Sequence, residues 1–210
     1  YQTQGAGRRM SSPPMASINA AAASQHRKGR LLGEEGVWVV IFGDLFVFAA
    51  FFIIYAVERS GSLELFNASQ ALLDRQLGLL NTLLLLTSSW CVAQAVTAVR
   101  RQDPRGKMLI GGAMLLGLGF VVVKFFEYGA KISAGYTLNT NGFFIYYYVF
   151  TAIHLIHVLI GLGVLTLVFT GFDRSGRYRA SQVLIEGGGA FWHLVDLLWI
   201  VLFALLYLLG

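Results

Sequence analysis

The C-terminal apolar run, Glu186–Leu209, constrains the fold more than any other part of this sequence. At about 1.5 Å per residue, a helix of this length crosses the ~30 Å hydrocarbon core of a bilayer. The run nevertheless contains His193 and Asp196 on one helical face, with Trp192 and Trp199 on nearly the same side. A charge at mid-membrane depth costs at least ~2.5 kcal/mol and needs a partner. We therefore expect His193 to bond a carboxylate, on its own helix (Asp196 or Glu186) or on a neighbouring one, so that this polar side faces a bundle.

The composition of the chain is that of an integral membrane protein. Hydrophobic residues make up 56% of the 210 residues and charged residues 13%, against about 25% in soluble domains. The net charge of +5 does not indicate nucleic-acid binding, because the basic residues lie between apolar runs. The spans that hydropathy predicts are Val37–Val57, Leu77–Val99, Met108–Tyr128, Phe143–Thr170 and Ala190–Leu209. The sequence thus predicts an all-α, five-helix transmembrane bundle over residues 37–210, preceded by a polar, mobile tail over residues 1–36.

The basic residues predict the orientation of this bundle. Twelve of the sixteen lie in the tail, in the loop between the second and third spans, or in the loop between the fourth and fifth spans. The other four lie toward the opposite side. Because positive loops stay in the cytoplasm, the N-terminus is expected inside and the C-terminus outside.

Two carboxylates within the spans allow two interpretations each. Asp44 is either a helix-packing carboxylate bonded to a neighbouring Ser, Thr or backbone group, or a carboxylate that serves a proton path or a lipid site. Glu127 either forms an interfacial ion pair with Lys124, three residues earlier, or packs among Phe125, Phe126 and Tyr128 and is protonated part of the time. The residues alone leave both pairs of alternatives open.

The hydroxyl and amide residues of the second span are predicted to make interhelical hydrogen bonds. These residues are Asn81, Thr82, Thr87, Ser88 and Ser89.

The histidines of the fourth span also have two interpretations. His154 and His157 lie on one helical face, and together with His193 they could in principle hold a metal. No acidic E-x-x-H pattern accompanies them. The favoured interpretation is that both are packing histidines, bonded to Asp196, Asp44 or backbone carbonyls.

Four stretches in order then resemble subunit III of the haem–copper oxidases. FWHLVDLLW, with Glu186 seven residues before His193, is similar to the final helix of that family. The other matching stretches are NTLLLLTSS (81–89), LGLGF…FFEY (116–128) and TAIHLIHVLIG (151–161). The third of these stretches places Glu127 at the carbodiimide-reactive carboxylate of the family.

Two departures from the family pattern indicate a branch. Larger members have seven spans, whereas five are predicted here. The family usually has a glycine between the paired histidines, whereas here the two residues between them are Leu155 and Ile156. Together with the preceding FFIYYYVF, this resembles the NorE branch, the subunit III homologues associated with nitric oxide reductases and with some oxidases.

The resemblance implies an accessory subunit that is not itself an enzyme, in the cytoplasmic membrane of a bacterium. It implies no haem, copper or other metal on this chain, bound phospholipid, a partner catalytic subunit with haem and copper or iron, and support for proton uptake. The residues expected to bind lipid or to serve a proton path are Asp44, Glu127, His154, His157, Glu186, Trp192, His193 and Asp196. The competing hypothesis is a stand-alone intramembrane metal or haem enzyme that uses His154, His157 and His193.

Overall fold

The computed structural model describes residues 15–209, with side chains placed for residue 36 and residues 38–209. Within this range the chain forms α1 (Met15–Gly61), α2 (Leu63–Gln70), α3 (Arg75–Arg100), α4 (Arg105–Ser133), α5 (Gly142–Thr170) and α6 (Gln182–Phe203). A π-helical segment, Ala204–Leu208, continues α6. The first 14 residues of the predicted tail lie outside the described residues, while α1 begins at Met15. The mobility of the tail stays a prediction.

Over the described residues, five helices are long and apolar enough to cross a membrane, which confirms the predicted all-α architecture and the number of spans. The spans are Trp38–Gly61, Arg75–Arg100, Arg105–Ser133, Gly142–Thr170 and Gln182–Leu208. The fifth begins eight residues before the predicted Ala190. The Ser181 hydroxyl accepts a hydrogen bond from the Val183 amide at 3.2 Å and caps this earlier start.

The last helix lies at the centre of the bundle. α6 contacts α1, α3 and α5, while α3 packs along α4 and α4 packs along α5. The short α2 lies against α1 and α5. The helix with the unusual polar residues is thus the one that most of the others surround.

Two glycines on neighbouring helices make room for the large Trp192 side chain of α6. A Cβ atom added to Gly117 on α4 would lie 2.8 Å from the Trp192 ring, and one added to Gly161 on α5 would lie 2.7 Å from it. The two glycines therefore leave the space that the buried indole fills. Small residues have this role in membrane helices because they allow close packing without any hydrophobic driving force between helices.

The π-helical segment is held from two sides. Its wider turns change the intrahelical hydrogen-bond pattern. The Leu205 carbonyl accepts hydrogen bonds from the Tyr55 hydroxyl of α1 and the Gln70 amide of α2, each at 3.3 Å. The end of the chain is thereby tied to the outer helices.

Candidate functional site

Lys124 and Glu127 form the most deeply buried ionic group of the bundle. The Lys124 ammonium lies 2.9 Å from a Glu127 carboxylate oxygen, and each side chain is only 1% exposed. Tyr147 and Tyr207 donate their hydroxyl hydrogens to the other carboxylate oxygen. Tyr207 also accepts a hydrogen bond from Lys124 at 3.0 Å. Each charge therefore has partners, which is the condition for keeping an ion pair inside a bundle.

Aromatic rings surround the Lys124 ammonium. The distance from Nζ to a ring centroid is 4.8 Å for Trp199, 5.3 Å for Tyr147, 5.5 Å for Tyr207 and 5.7 Å for Tyr128. Rings at such distances attract a cation through their negative faces, and the attraction is strongest where water is excluded. The ammonium thus has electrostatic compensation beyond its one carboxylate.

This geometry combines parts of both interpretations of Glu127. The predicted pairing with Lys124 is confirmed, although the pair is buried and not interfacial. The expected packing among Phe125 and Phe126 is wrong, because those side chains are 64% and 74% exposed on the opposite side of α4. The tyrosine partners were missed. The available signal was that a tyrosine hydroxyl within an apolar helix needs a hydrogen-bond partner when it is buried.

Asp44 and His157 connect α1 to α5, as one of the interpretations predicted. His157 Nδ1 lies 2.8 Å from the Ile153 carbonyl, and Nε2 lies 3.1 Å from an Asp44 oxygen. A carbonyl only accepts, so Nδ1 carries a proton. The contact between Nε2 and Asp44 needs a second proton, on either partner. In both arrangements the pair is neutral overall, which suits its position in a span.

His154 departs from the expectation that both histidines of α5 are hydrogen-bonded. Its ring lies between Phe120 and Trp199, with centroid distances of 5.6 and 5.2 Å. Both ring nitrogens are buried without a hydrogen-bond partner among the described residues. The physical reason is rotation: three residues along α5 turn His157 toward α1 and leave His154 facing the aromatic interior.

Hydroxyls of α3 hold two tryptophans of α6. Trp192 donates its indole hydrogen to Ser88 at 3.1 Å, and Trp199 donates to Thr82 at 3.1 Å. The predicted interhelical hydrogen bonds of α3 are therefore confirmed for Thr82 and Ser88. They are also confirmed for Ser89, whose partner on α6 is described next. The prediction is wrong for Thr87, which bonds the Leu83 carbonyl of its own helix, and for Asn81, whose side-chain nitrogen and oxygen are buried without a partner among the described residues.

His193 differs from the expectation in both its partner and its position, because its side chain is exposed on the outside of the bundle. Its Nδ1 lies 2.5 Å from the Ser89 hydroxyl of α3, whereas a carboxylate partner was expected. Glu186 instead pairs with Arg100 at 3.0 Å. Asp196 is 6% exposed and lies beside Ser89, but its Oδ1 has no hydrogen-bond partner in the described part of the chain. The antiparallel packing of α3 brings a hydroxyl to the level of the imidazole and so replaces the expected carboxylate.

The three histidines of the competing enzyme hypothesis do not come together. His154 faces Phe120 and Trp199, His157 faces Asp44, and His193 faces Ser89. Among the described residues, no group of three or more His, Cys, Asp or Glu side chains is arranged to hold a metal. The proposed ligand set therefore does not form.

The loop between α5 and α6 is organised by Asp173. Its carboxylate accepts hydrogen bonds from the amide and hydroxyl of Ser175, from the Arg177 amide and from the Arg179 guanidinium. The Ser175 hydroxyl, followed by the Arg177 amide, holds the pKa of Asp173 well below its usual range. The Asp173 carboxylate therefore joins several parts of this loop, alongside the backbone bridge between Phe172 and Tyr178.

Comparison with known proteins gives a consistent result over nearly the whole chain. The family model for cytochrome c oxidase subunit III matches residues 18–210. The chain is 31% identical over 191 residues to cytochrome c oxidase subunit 3 of Thermostichus vulcanus, covering 89% of this chain and 90% of the relative. It is 29% identical to quinol oxidase subunit 3 of Bacillus subtilis, covering 91% and 94%. It is also 30% identical to haem–copper oxidase subunit I+III of Aeropyrum pernix, covering 83% of this chain and 22% of that protein.

Proposed function

Because this chain belongs to the cytochrome c oxidase subunit III family, we propose that it packs beside and stabilises the catalytic subunit of a respiratory haem–copper enzyme. Subunit III of these enzymes is a non-catalytic subunit of an oxidoreductase complex. The haem and the copper or iron then belong to the partner subunit. Support comes from the way the buried charges are used: Lys124 and Glu127 are bonded to each other and to tyrosines, which stabilises a scaffold.

The second part of the proposal is that phospholipid binds to this chain. A cavity of about 580 Å³ lies where α1, α5 and α6 meet, toward the end that contains Glu186. Its walls are almost entirely apolar and include Val40, Val164, Leu184 and Phe191. An acyl chain matches such a wall in shape and chemistry. Of the eight residues proposed for lipid binding or proton transfer, Glu186 and Trp192 are each next in sequence to a residue that lines this cavity.

The third part concerns proton uptake by the complex. The Asp44–His157 pair is only partly buried, with side chains 17% and 19% exposed, and it holds a proton between two groups. His193 and Glu186 lie at the outer surface of α6, while Glu127, His154 and Asp196 are buried. We propose that the partly exposed groups influence proton delivery and that the buried ones hold the helices that carry them.

The orientation and the branch belong to the same proposal. The distribution of basic residues supports a cytoplasmic N-terminus in a bacterial cytoplasmic membrane, and the five apolar helices make this a multi-pass membrane protein. The replacement of a glycine by Leu155 and Ile156 supports the NorE branch, in which the partner reduces nitric oxide or oxygen.

Purification tests the central proposal. The tagged chain, isolated from its host membrane in mild detergent, should bring down a haem-containing membrane subunit. Deletion of the chain should lower the yield or the lasting turnover of that subunit and leave its haem spectrum unchanged. A stoichiometric haem or metal on the purified chain alone would overturn the accessory function in favour of the enzyme hypothesis.

A further inference from the structure

His193 is a titratable side chain that faces out of the bundle near mid-membrane. It lies eleven residues after Gln182, roughly 16 Å along a span of roughly 40 Å. Within the described part of the chain, no other exposed titratable side chain lies at this depth. Large side chains that face outward from the middle of other spans are apolar, such as Phe46, Leu115 and Ile156.

Only one of the two ring nitrogens of His193 has a hydrogen-bond partner. Nδ1 is bonded to Ser89, while Nε2 has no hydrogen-bond partner among the residues whose side chains are described. Beside Ser89, the buried Asp196 also has an unpartnered oxygen. Hydrocarbon offers no hydrogen bond to the exposed His193 Nε2, so a lipid acyl chain is a poor neighbour here.

The surface around His193 is a groove that could receive another helix. A groove of about 320 Å³ runs between α3 and α6, and its walls include Ala93, Gly189 and Ala190. Small side chains allow another helix to approach closely, where dispersion contacts and polar bonds hold membrane helices together. At one end of the groove lies the Arg100–Glu186 pair, with side chains 63% and 27% exposed. The groove therefore has a small-residue wall, a charged end and a polar centre.

We propose that this α3–α6 groove receives a transmembrane helix of the catalytic subunit, which supplies a hydrogen-bonding side chain to His193 Nε2. The inference rests on the accessory function proposed above and adds the docking face. One relative of this chain is a subunit I+III protein, in which the two partners are a single polypeptide. Such a partner is favoured over a second copy of this chain. The outer faces of the other spans are apolar at this depth, so those spans of a second copy would offer His193 no hydrogen bond.

A photo-cross-linking experiment tests the face directly. A benzoylphenylalanine residue is placed at Leu197, one turn beyond His193, or at Leu118 on α4; both side chains are 51% exposed. Membranes of the native host are irradiated, and the tagged full chain is purified with whatever is attached to it. We expect the position 197 probe to capture the haem-containing subunit and the position 118 probe to capture lipid alone. Capture of that subunit from position 118 and not 197 would overturn the docking face, and so would a cross-linked dimer of this chain from position 197.

Filling the groove provides a second test. Ala190→Leu should reduce the haem that co-purifies per chain at least tenfold, whereas Ala152→Leu, on the exposed face of α5, should change it less than twofold. Equal haem recovery in both variants would overturn the docking face. The wild-type chain separates the two hypotheses. If it recovers no haem subunit, the accessory function itself fails. If it recovers one and Ala190→Leu recovers as much, only the docking face fails.

Discussion

Lys124 and Glu127 lie one turn apart on α4 and form an ion pair with almost no exposure to solvent or lipid. Arg100 and Glu186 form a pair of similar length whose side chains are 63% and 27% exposed. The chain thus contains two salt bridges that differ mainly in burial, and this contrast can be measured.

Removing one partner of the buried pair should be costly. Lys124→Met leaves the Glu127 carboxylate inside the bundle without its cation, and such a loss costs about 3–5 kcal/mol. Arg100→Met removes an exposed partner and should cost less than about 1 kcal/mol. The measurement is the thermal unfolding midpoint of the purified full chain in mild detergent. Equal midpoints in the two variants would contradict the burial of the Lys124 pair.

Chemical labelling reports on the same carboxylate. Hydrophobic carbodiimides react only with carboxyl groups that they can reach, and the Glu127 side chain is 1% exposed and bonded to Lys124. Wild-type protein should therefore be labelled slowly at this residue, and Lys124→Met several times faster. Peptide mass mapping identifies the site, and Glu127→Gln is the blank. Labelling that goes to Asp44, or that is unaffected by Lys124→Met, would be evidence against the closed pair.

Two glycines of α5 should respond oppositely to alanine. A Cβ at Gly161 would lie 2.7 Å from the Trp192 ring, whereas a Cβ at Gly163 meets nothing within 4 Å. Overpacking typically costs about 1–3 kcal/mol, while alanine in a helix is favoured over glycine by roughly 0.5–1 kcal/mol. Gly161→Ala should thus lower the unfolding midpoint and Gly163→Ala should keep or raise it. The reverse order would mean that Trp192 does not fill this notch.

The loop between α5 and α6 should depend on the Asp173 carboxylate. Its lowered pKa means that the loop is stabilised above the ordinary aspartate pKa of about 3.9, and that this contribution is lost as the pH falls below it. Trypsin resistance of the wild-type loop should therefore be similar at pH 6 and pH 8. Asp173→Ala should expose Arg174 and Arg177 to trypsin at both values. Asp103→Ala, which removes a single amide contact in another loop, serves as the control.

The orientation of the chain can be tested with a reporter. The excess of basic residues on one side predicts that the C-terminus lies outside the cytoplasm. A phosphatase fused after Gly210 should be active, and a cytoplasm-dependent fluorescent protein at the same point should be dark. The opposite result would require the reverse orientation of all five spans.

Hydropathy was sufficient for the number of spans, because span length is set by bilayer thickness and not by contacts between helices. The pairing of His157 with Asp44 was likewise among the predicted partners, since few groups inside a membrane can satisfy an imidazole. The start of α6 was not predicted. Its glycine-rich first turns have low hydropathy, and their helical state depends on packing.

The partners of His193 and Glu127 were beyond reach of the sequence alone. Whether His193 meets Asp196 or Ser89 depends on the rotation and register of α3 against α6, which spacing within one helix does not determine. Glu127 and Tyr207 are 80 residues apart in sequence. Contacts of this kind follow from how whole helices pack, so residue patterns could suggest that a partner exists without identifying it.

The central position of α6 has a consequence for biosynthesis. Membrane helices are made in order from the N-terminus, so α1, α3, α4 and α5 leave the ribosome before the helix that α1, α3 and α5 contact. During that interval the space beside Gly117 and Gly161 lacks the Trp192 ring. Glu127 likewise has Tyr147 in the chain but not yet Tyr207. The bundle can close only after α6 has been made, so a chain that stops before α6 would leave these groups without their partners.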